Sequence, residues 1–322
     1  MQKIEKENYI VCDISVVIPV FNSENNLQLL LRELHKTLEG YSFEIIMVND
    51  KSSDESWQMI AQLSKECPQL TGINLRKNSG QNNAIMCGLK YASGNYIVIM
   101  DDDLQHSPSD IPKLYAEIIK GYDVVFANYK KKNQALWKNA GSWLNGKTAE
   151  MLINKPKNIY LSPFKILTKD VRKEVVKYNG SFPYIDGILF MVTTNVSQVN
   201  NIVHNKRFAG KSNFNFIKSL SIFLSLITNF SVIPLQISII LGLISSFSSF
   251  ILGVYFLFLY FKTSSMPEGY TSMVLLTIFF GGLILISLGI IGQYIGRLFM
   301  NNQNISPFII KEITGQNENE HL

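Results

Sequence analysis

Tyr96-Ile97-Val98-Ile99-Met100-Asp101-Asp102-Asp103-Leu104-Gln105 is a short apolar run that ends in three consecutive carboxylates. An unbroken apolar run of this length reads as a strand buried on both faces, the kind found inside parallel α/β sheets. Ligands of such sheets bind where the strands end at their carboxyl side. Asp101 and Asp103, one residue apart at that mouth, suit a hard divalent cation, and such a cation in turn suits a diphosphate.

The residues before this strand repeat the pattern. Ser15–Val20, Phe43–Val48 and Leu70–Asn74 read as earlier strands, Tyr96–Met100 as a fourth, and Asp123–Asn128 as a fifth. Between them Glu24–Leu38, Ser53–Lys65 and Gly80–Tyr91 carry apolar residues at helical spacing. The alternation predicts an α/β fold with a mostly parallel sheet covered on both faces. Right-handed crossovers then bring Pro19–Asn22, Asn49–Asp54, Arg76–Gln81 and Asp101–Gln105 to one edge.

Further along, the chain changes character. From Ser231 to Phe261 there is no charged residue, and Glu268 is the only charge between Lys262 and Arg297. As helices, about 232–261 and 272–298 would each exceed the ~30 Å hydrocarbon core of a bilayer. The short link Lys262–Tyr270 makes them a hairpin with both flanks on one side. Lys206, Arg207, Lys211 and Lys218 precede the pair and Arg297 and Lys311 follow it. That basic excess predicts a cytoplasmic location for the large N-terminal part and both termini. Trp137–Ile153 has a mixed apolar and basic pattern that suits an interfacial or a core-facing helix equally, Phe214–Phe230 favours an interfacial one, and Gly315–Leu322 reads as disordered.

The net charge of +5 is modest, and no basic-aromatic array supports nucleic-acid binding. Cys12, Cys67 and Cys87 lack metal-ligand spacing and fit reduced cytosolic thiols. No secretory signal pattern is visible at the N-terminus.

Each loop at the expected edge carries polar residues of its own. Asp50 in Val48-Asn49-Asp50-Lys51-Ser52-Ser53-Asp54 precedes the helix cap that Ser52 or Ser53 would form. A carboxylate there can accept from a base N–H or a ribose hydroxyl. Arg76-Lys77-Asn78-Ser79-Gly80-Gln81 follows a strand and opens a helix, a ready anion site.

Taken together, Val17-Ile18-Pro19-Val20-Phe21-Asn22-Ser23-Glu24, the Asp50 and Arg76 loops, and Asp101-Asp102-Asp103-Leu104-Gln105 resemble glycosyltransferase family 2. The resemblance is to its polyprenyl-phosphate branch, which includes dolichol-phosphate mannosyltransferases and bactoprenol glucosyltransferases. Gly210-Lys211-Ser212-Asn213-Phe214 and Gly292-Gln293-Tyr294-Ile295-Gly296-Arg297 match later segments of that branch. The resemblance covers residues 14–311. It implies an N-terminal extension (1–13), a GT-A domain (14–213), an interface helix (214–230), two membrane helices (231–300) and a cytoplasmic tail (301–322).

It further implies that Pro19, Asn22, Glu24, Asp50, Arg76, Gln81 and Asp102 contact the nucleotide. Asp101, Asp103 and Gln105 would hold Mg²⁺ or Mn²⁺ against the diphosphate of a nucleotide-diphosphate sugar. Lys130, Lys131, Lys138, Lys165, Arg207, Lys211 and Ser212 would meet phosphate. The expected acceptor is a polyprenyl phosphate, transfer inverts the anomeric centre, and the protein is a homo-oligomer at the membrane.

Ser162-Pro163-Phe164-Lys165 departs from the branch's Ser-x-Phe-Arg, and lysine lacks arginine's bidentate fork. Asp186 stands where hydroxyl-accepting relatives place a catalytic base, and it is also a plausible turn residue before Gly187. His204 is an alternative third metal ligand. A competing reading makes the chain a nucleotide-sugar-binding subunit without activity, but the intact acidic set argues against that, because a scaffold has no use for clustered carboxylates that repel one another.

Overall fold

A computed structural model describes residues 12–129, 156, 159–180, 183–202, 233–263, 269–302 and 306–315. The chain divides into two compact units, one of 1–214 with 304–322 and one of 215–303.

The first unit is built on an eight-stranded sheet. Its strands are β1 (Ile14–Val20), β2 (Phe43–Asn49), β3 (Leu70–Leu75), β4 (Tyr96–Ile99), β5 (Val124–Tyr129), β6 (Lys165–Thr168), β7 (Val196–Ile202) and β8 (Ile310–Thr314). They lie in the order β7-β5-β6-β4-β1-β2-β3-β8. β1 pairs in parallel with β2 and β4, and β2 with β3, which makes the expected parallel centre. All seven residues of β1 are buried, because helices cover both faces of a strand placed centrally in such a sheet.

The flanks correct the expectation of a mostly parallel sheet. β6 enters antiparallel between β4 and β5, β7 runs parallel to β5, and β8 closes the far edge antiparallel to β3. Four pairings are therefore parallel and three antiparallel. The sheet is mixed because β6 runs against both β4 and β5, and β8 against β3.

Helices α1 (Leu27–Thr37), α2 (Ser56–Glu66), α3 (Gln81–Tyr91) and α4 (Ile111–Ile118) connect the strands. α1 buries Leu27, Leu30, Leu31 and Leu34, a stripe at three- and four-residue spacing that seals one face of the sheet. α3 packs closely on β1 through Gly88: a methyl group there would come within 2.4 Å of Val17 Cγ1. α2 begins three residues later than Ser53, with Glu55 at its N-cap, so neither Ser52 nor Ser53 caps it. Two shorter helices, α5 (Lys169–Val175) and α6 (Ile185–Val192), follow β6, and Thr168 caps α5 by accepting from the Val171 N–H.

The second unit contains α7 (Ile233–Thr263) and α8 (Tyr270–Asn302). Ile239, Leu243, Phe247, Phe250 and Phe258 on α7, and Phe279, Leu285, Ile286 and Leu288 on α8, are exposed. Among the described residues, Phe279–Gly296 is long and apolar enough to cross a membrane. Trp137–Ile153, Phe214–Phe230 and residues 316–322 lie outside the described residues. The segment after α8 is more than a tail, since Ile310–Thr314 completes the sheet of the first unit as β8.

Candidate active site

Four loops meet where the parallel strands β1, β2, β3 and β4 end. Asn22, Lys51 and Leu104, at φ of 54°, 58° and 57°, are the non-glycine residues with left-handed backbone among the described residues. All three belong to these loops. That conformation costs a non-glycine residue roughly 1–2 kcal/mol and persists where surrounding contacts over-determine it.

Those contacts tie each loop to its neighbour. Asn22 Oδ1 accepts from the Ser53 N–H at 2.8 Å and from Ser53 Oγ at 3.2 Å, while the Asn22 N–H donates to Ser52 Oγ at 3.0 Å. Glu24 Oε2 accepts from the Glu55 N–H at 2.8 Å, and the Glu24 N–H donates to Asp54 Oδ2 at 3.2 Å. Both residues therefore bridge the β1 and β2 loops. Pro19 is buried inside β1, in register with Val48.

Asp50 clamps the next pair of loops. Its Oδ1 accepts from the Ser79 N–H at 2.6 Å and its Oδ2 from the Gly80 N–H at 2.8 Å. Gly80, at φ of 89°, is the N-cap of α3 and takes a backbone shape that disfavours side chains. Burial raises the Asp50 carboxyl above the ordinary aspartate range, and the two N–H donors oppose that rise. With an N–H on each oxygen, Asp50 organises the Arg76–Gly80 loop while keeping further acceptor sites of its own. Arg76 itself is exposed, and its N–H donates to Ile309 O at 2.8 Å.

The acidic run sits beside these clamps. Gln81 Nε2 donates to Asp101 Oδ1 at 2.6 Å, Asp102 Oδ2 accepts from the Phe21 N–H at 3.2 Å, and Asp103 Oδ1 accepts from the Gln105 N–H at 3.1 Å. Desolvation, then repulsion from Asp103 and Asp102, pushes the Asp101 carboxyl up to about 7, against the pull of Lys165 and Gln81. Desolvation likewise raises Asp102 to about 6. These are oxygen donors whose negative charge is poorly compensated, which is the chemistry a hard cation relieves. Among the described residues no group of three His, Cys, Asp or Glu could hold a metal ion. A cation at Asp101, Asp103 and Gln105 would therefore draw further oxygens from a ligand.

Lys165 and Asp186 depart from their expected roles. The Lys165 side chain is 4% exposed, and its Nζ donates to Asp186 Oδ1. The same ammonium lies 5.4 Å from the centroid of the Phe126 ring. Lys165 is thus committed to a protein carboxylate instead of open to phosphate, and Asp186 is ion-paired rather than poised as a free base. The two are 21 residues apart, so sequence reading missed the partnership. The available signal is a lone lysine inside the apolar run Phe164-Lys165-Ile166-Leu167, all four of which are buried. Lys130, Lys131, Lys138, His204, Arg207, Lys211 and Ser212 lie outside the described residues.

The family described as "Glycosyl transferase family 2" matches residues 15–176. A prophage-derived bactoprenol glucosyl transferase of Shigella flexneri is 30% identical over 93% of this chain and 97% of its own length. An undecaprenyl-phosphate 4-deoxy-4-formamido-L-arabinose transferase of Photorhabdus laumondii is 26% identical over 95% of each chain. Among solved structures, glucosyl-3-phosphoglycerate synthase from Mycobacterium tuberculosis bound to phosphoglyceric acid superposes with a TM-score of 0.51 at 17% identity, covering 68% of this chain and 80% of that one. Its complex with Mn²⁺, uridine diphosphate and phosphoglyceric acid gives 0.50 at 17% identity, with 67% and 76% covered. At this identity the likeness establishes a shared GT-A-type fold.

Proposed function

This chain belongs to glycosyl transferase family 2, and on that premise we propose that it moves a sugar from a nucleotide-diphosphate sugar to a membrane polyprenyl phosphate with inversion. The observation that carries the reading is the near full-length likeness to transferases whose names specify bactoprenol or undecaprenyl phosphate. The product would serve cell-surface glycan assembly or modification.

The residues divide the work. The loops bridged by Asn22, Glu24 and Asp50 form a preorganised cradle for the nucleoside. Asp101, Asp103 and Gln105 would hold Mg²⁺ or Mn²⁺, and the fit rests on their oxygen donors and the raised Asp101 carboxyl. A bound divalent cation would supply neutralisation of the charge that builds on the departing diphosphate. Gln81 orients Asp101 through its hydrogen bond. Lys130, Lys131, Lys138, Arg207, Lys211 and Ser212 are proposed phosphate contacts.

A phosphate monoester has its second pKa near ~6, so it is largely ionised at cytosolic pH and already nucleophilic. One of its oxygens attacks the anomeric carbon from the side opposite the leaving group. The bond from that carbon to the diphosphate breaks, and its electron pair leaves with the nucleoside diphosphate. No protein base is needed, which agrees with an Asp186 already paired to Lys165. That pairing weighs against a sugar-hydroxyl acceptor with Asp186 as base.

The helical unit supports membrane anchoring. The chain leaves the sheet unit before α7 and re-enters it after α8, so the proposed two crossings would return it to the side it started from. The basic residues flanking the pair favour the cytoplasmic side.

The test incubates membranes containing the protein with polyprenyl phosphate and a panel of radiolabelled nucleotide sugars. Label extracted into the organic phase, dependent on Mg²⁺ or Mn²⁺, is the expected result. Transfer to a free sugar hydroxyl with no lipid product, or retention of the donor's anomeric configuration, would overturn the proposal.

A further inference from the structure

β8 lies beyond the membrane-type helices in sequence, yet it touches the loop system at the sheet edge through side chains. Asn74 on β3 donates from Nδ2 to Glu312 Oε1 at 2.8 Å. Asn49, the last residue of β2, donates from Nδ2 to Asn74 Oδ1 at 2.8 Å. Ser52 Oγ donates to Asn49 Oδ1 at 2.5 Å and accepts from the Asn22 N–H at 3.0 Å. Asn49 and Asn74 are 2% and 5% exposed. This is an unbroken polar chain from the final strand, under β3 and β2, to the loop after β1.

Every link in it points the same way. A carboxylate only accepts hydrogen bonds, so Glu312 obliges Asn74 to offer its NH₂ and to turn its carbonyl toward Asn49. Asn49 must then offer its own NH₂ to Asn74, which leaves its carbonyl free to accept from Ser52. The Ser52 hydroxyl, having donated, keeps its lone pairs for the Asn22 N–H. Hydrogen bonds in series polarise one another and strengthen together in a buried setting. The orientation of the Asn74 amide therefore rests on Glu312, and that of Asn49 on Asn74 together with the Ser52 N–H, which donates to Asn49 Oδ1 at 3.3 Å.

The geometry points to Glu312 as a positioning residue for the donor cradle, setting the conformation of the Asn22 and Ser52 loops through Asn74 and Asn49. This rests on the reading of those loops as the nucleotide site. The relay ends at the N–H of Asn22, whose left-handed backbone is held also by Ser53. A second strut runs beside it: Ile309 O accepts from the Arg76 N–H, so the same segment also fixes the loop after β3.

The experiment uses the full chain in lipid nanodiscs, as native protein and as Glu312→Ala and Glu312→Gln. Amide hydrogen exchange is read at Asn22 and Ser52, and binding of UDP, GDP and dTDP with Mg²⁺ is read by equilibrium dialysis. Glu312→Ala is expected to speed exchange at both amides and to weaken the best nucleotide by about tenfold, the upper range for one net hydrogen bond. Glu312→Gln, which still offers an accepting oxygen to Asn74, is expected to stay within about twofold of native on both counts. Faster exchange confined to residues 70–75 and 310–314 would mean that Glu312 merely fastens two strands, and the inference falls. A Gln variant as impaired as the Ala variant would also overturn it, because charge rather than orientation would then be at work. If native protein binds none of the three nucleotides, the donor reading fails instead, and the amide readout still decides the relay.

Discussion

Cation affinity should fall steeply as pH drops through neutrality, because a proton competes for Asp101. Its folded carboxyl titrates at about 7 against an ordinary aspartate value of 3.8. A group with that value is roughly nine-tenths ionised at pH 8 and roughly one-tenth ionised at pH 6. If the ionised form is the ligand, Mn²⁺ binding weakens about tenfold between those pH values, with about one proton released per ion at pH 6. Stability without cation carries the opposite sign. Between about 4 and about 7 the folded state holds a proton the unfolded chain has lost, so stability declines as pH rises across that window. The assay counts free Mn²⁺ by electron paramagnetic resonance at pH 6, 7 and 8 in the presence of a nucleotide sugar. Asp101→Asn should flatten the profile, and Asp102→Asn, by removing a repelling carboxylate, should move it toward lower pH. A flat profile in the native protein, or an unchanged slope in Asp101→Asn, would refute the placement of the cation at Asp101.

Asp103→Ala should lower metal-dependent sugar transfer by about a hundredfold or more while far-UV circular dichroism is unchanged, since it removes a proposed ligand without touching the core. Asp186→Asn should destabilise the protein by about 3 kcal/mol in urea unfolding, because the Lys165 ammonium is left buried and unpaired; Lys165→Met with Asp186→Leu should recover most of the loss. Gly94→Ala should cost about 2 kcal/mol or more in the same assay, because its methyl would meet the Ser15 backbone nitrogen at 2.7 Å and backbone cannot step aside.

The central strands were legible because burial on both faces leaves a continuous apolar run, as in β1 and in Ile97–Met100, and the intervening helices showed their stripes. β6 and β8 were not. β6 is four residues long, and the alternating Ile310-Lys311-Glu312-Ile313-Thr314 becomes a strand only through its pairing with β3. At the site, the position of Asp101–Gln105 could be read, because a buried apolar strand that turns abruptly into carboxylates must end at the sheet edge, as β4 does. Partner choice could not be read. Asp50 holds the Ser79 and Gly80 N–H groups, and Lys165, expected at phosphate, faces Asp186. Both outcomes depend on which loops and strands the fold sets side by side, and sequence spacing carries little of that information.

The antiparallel partner of β3 also sets an order of events during synthesis. β1 to β7 emerge from the ribosome first, while the edge of β3 is still bare and able to pair with another chain. The strand that covers it is translated only after both long helices have been made. A nascent chain would thus complete its sheet only after both long apolar helices have been synthesised, so the last strand closes a unit that began forming long before it.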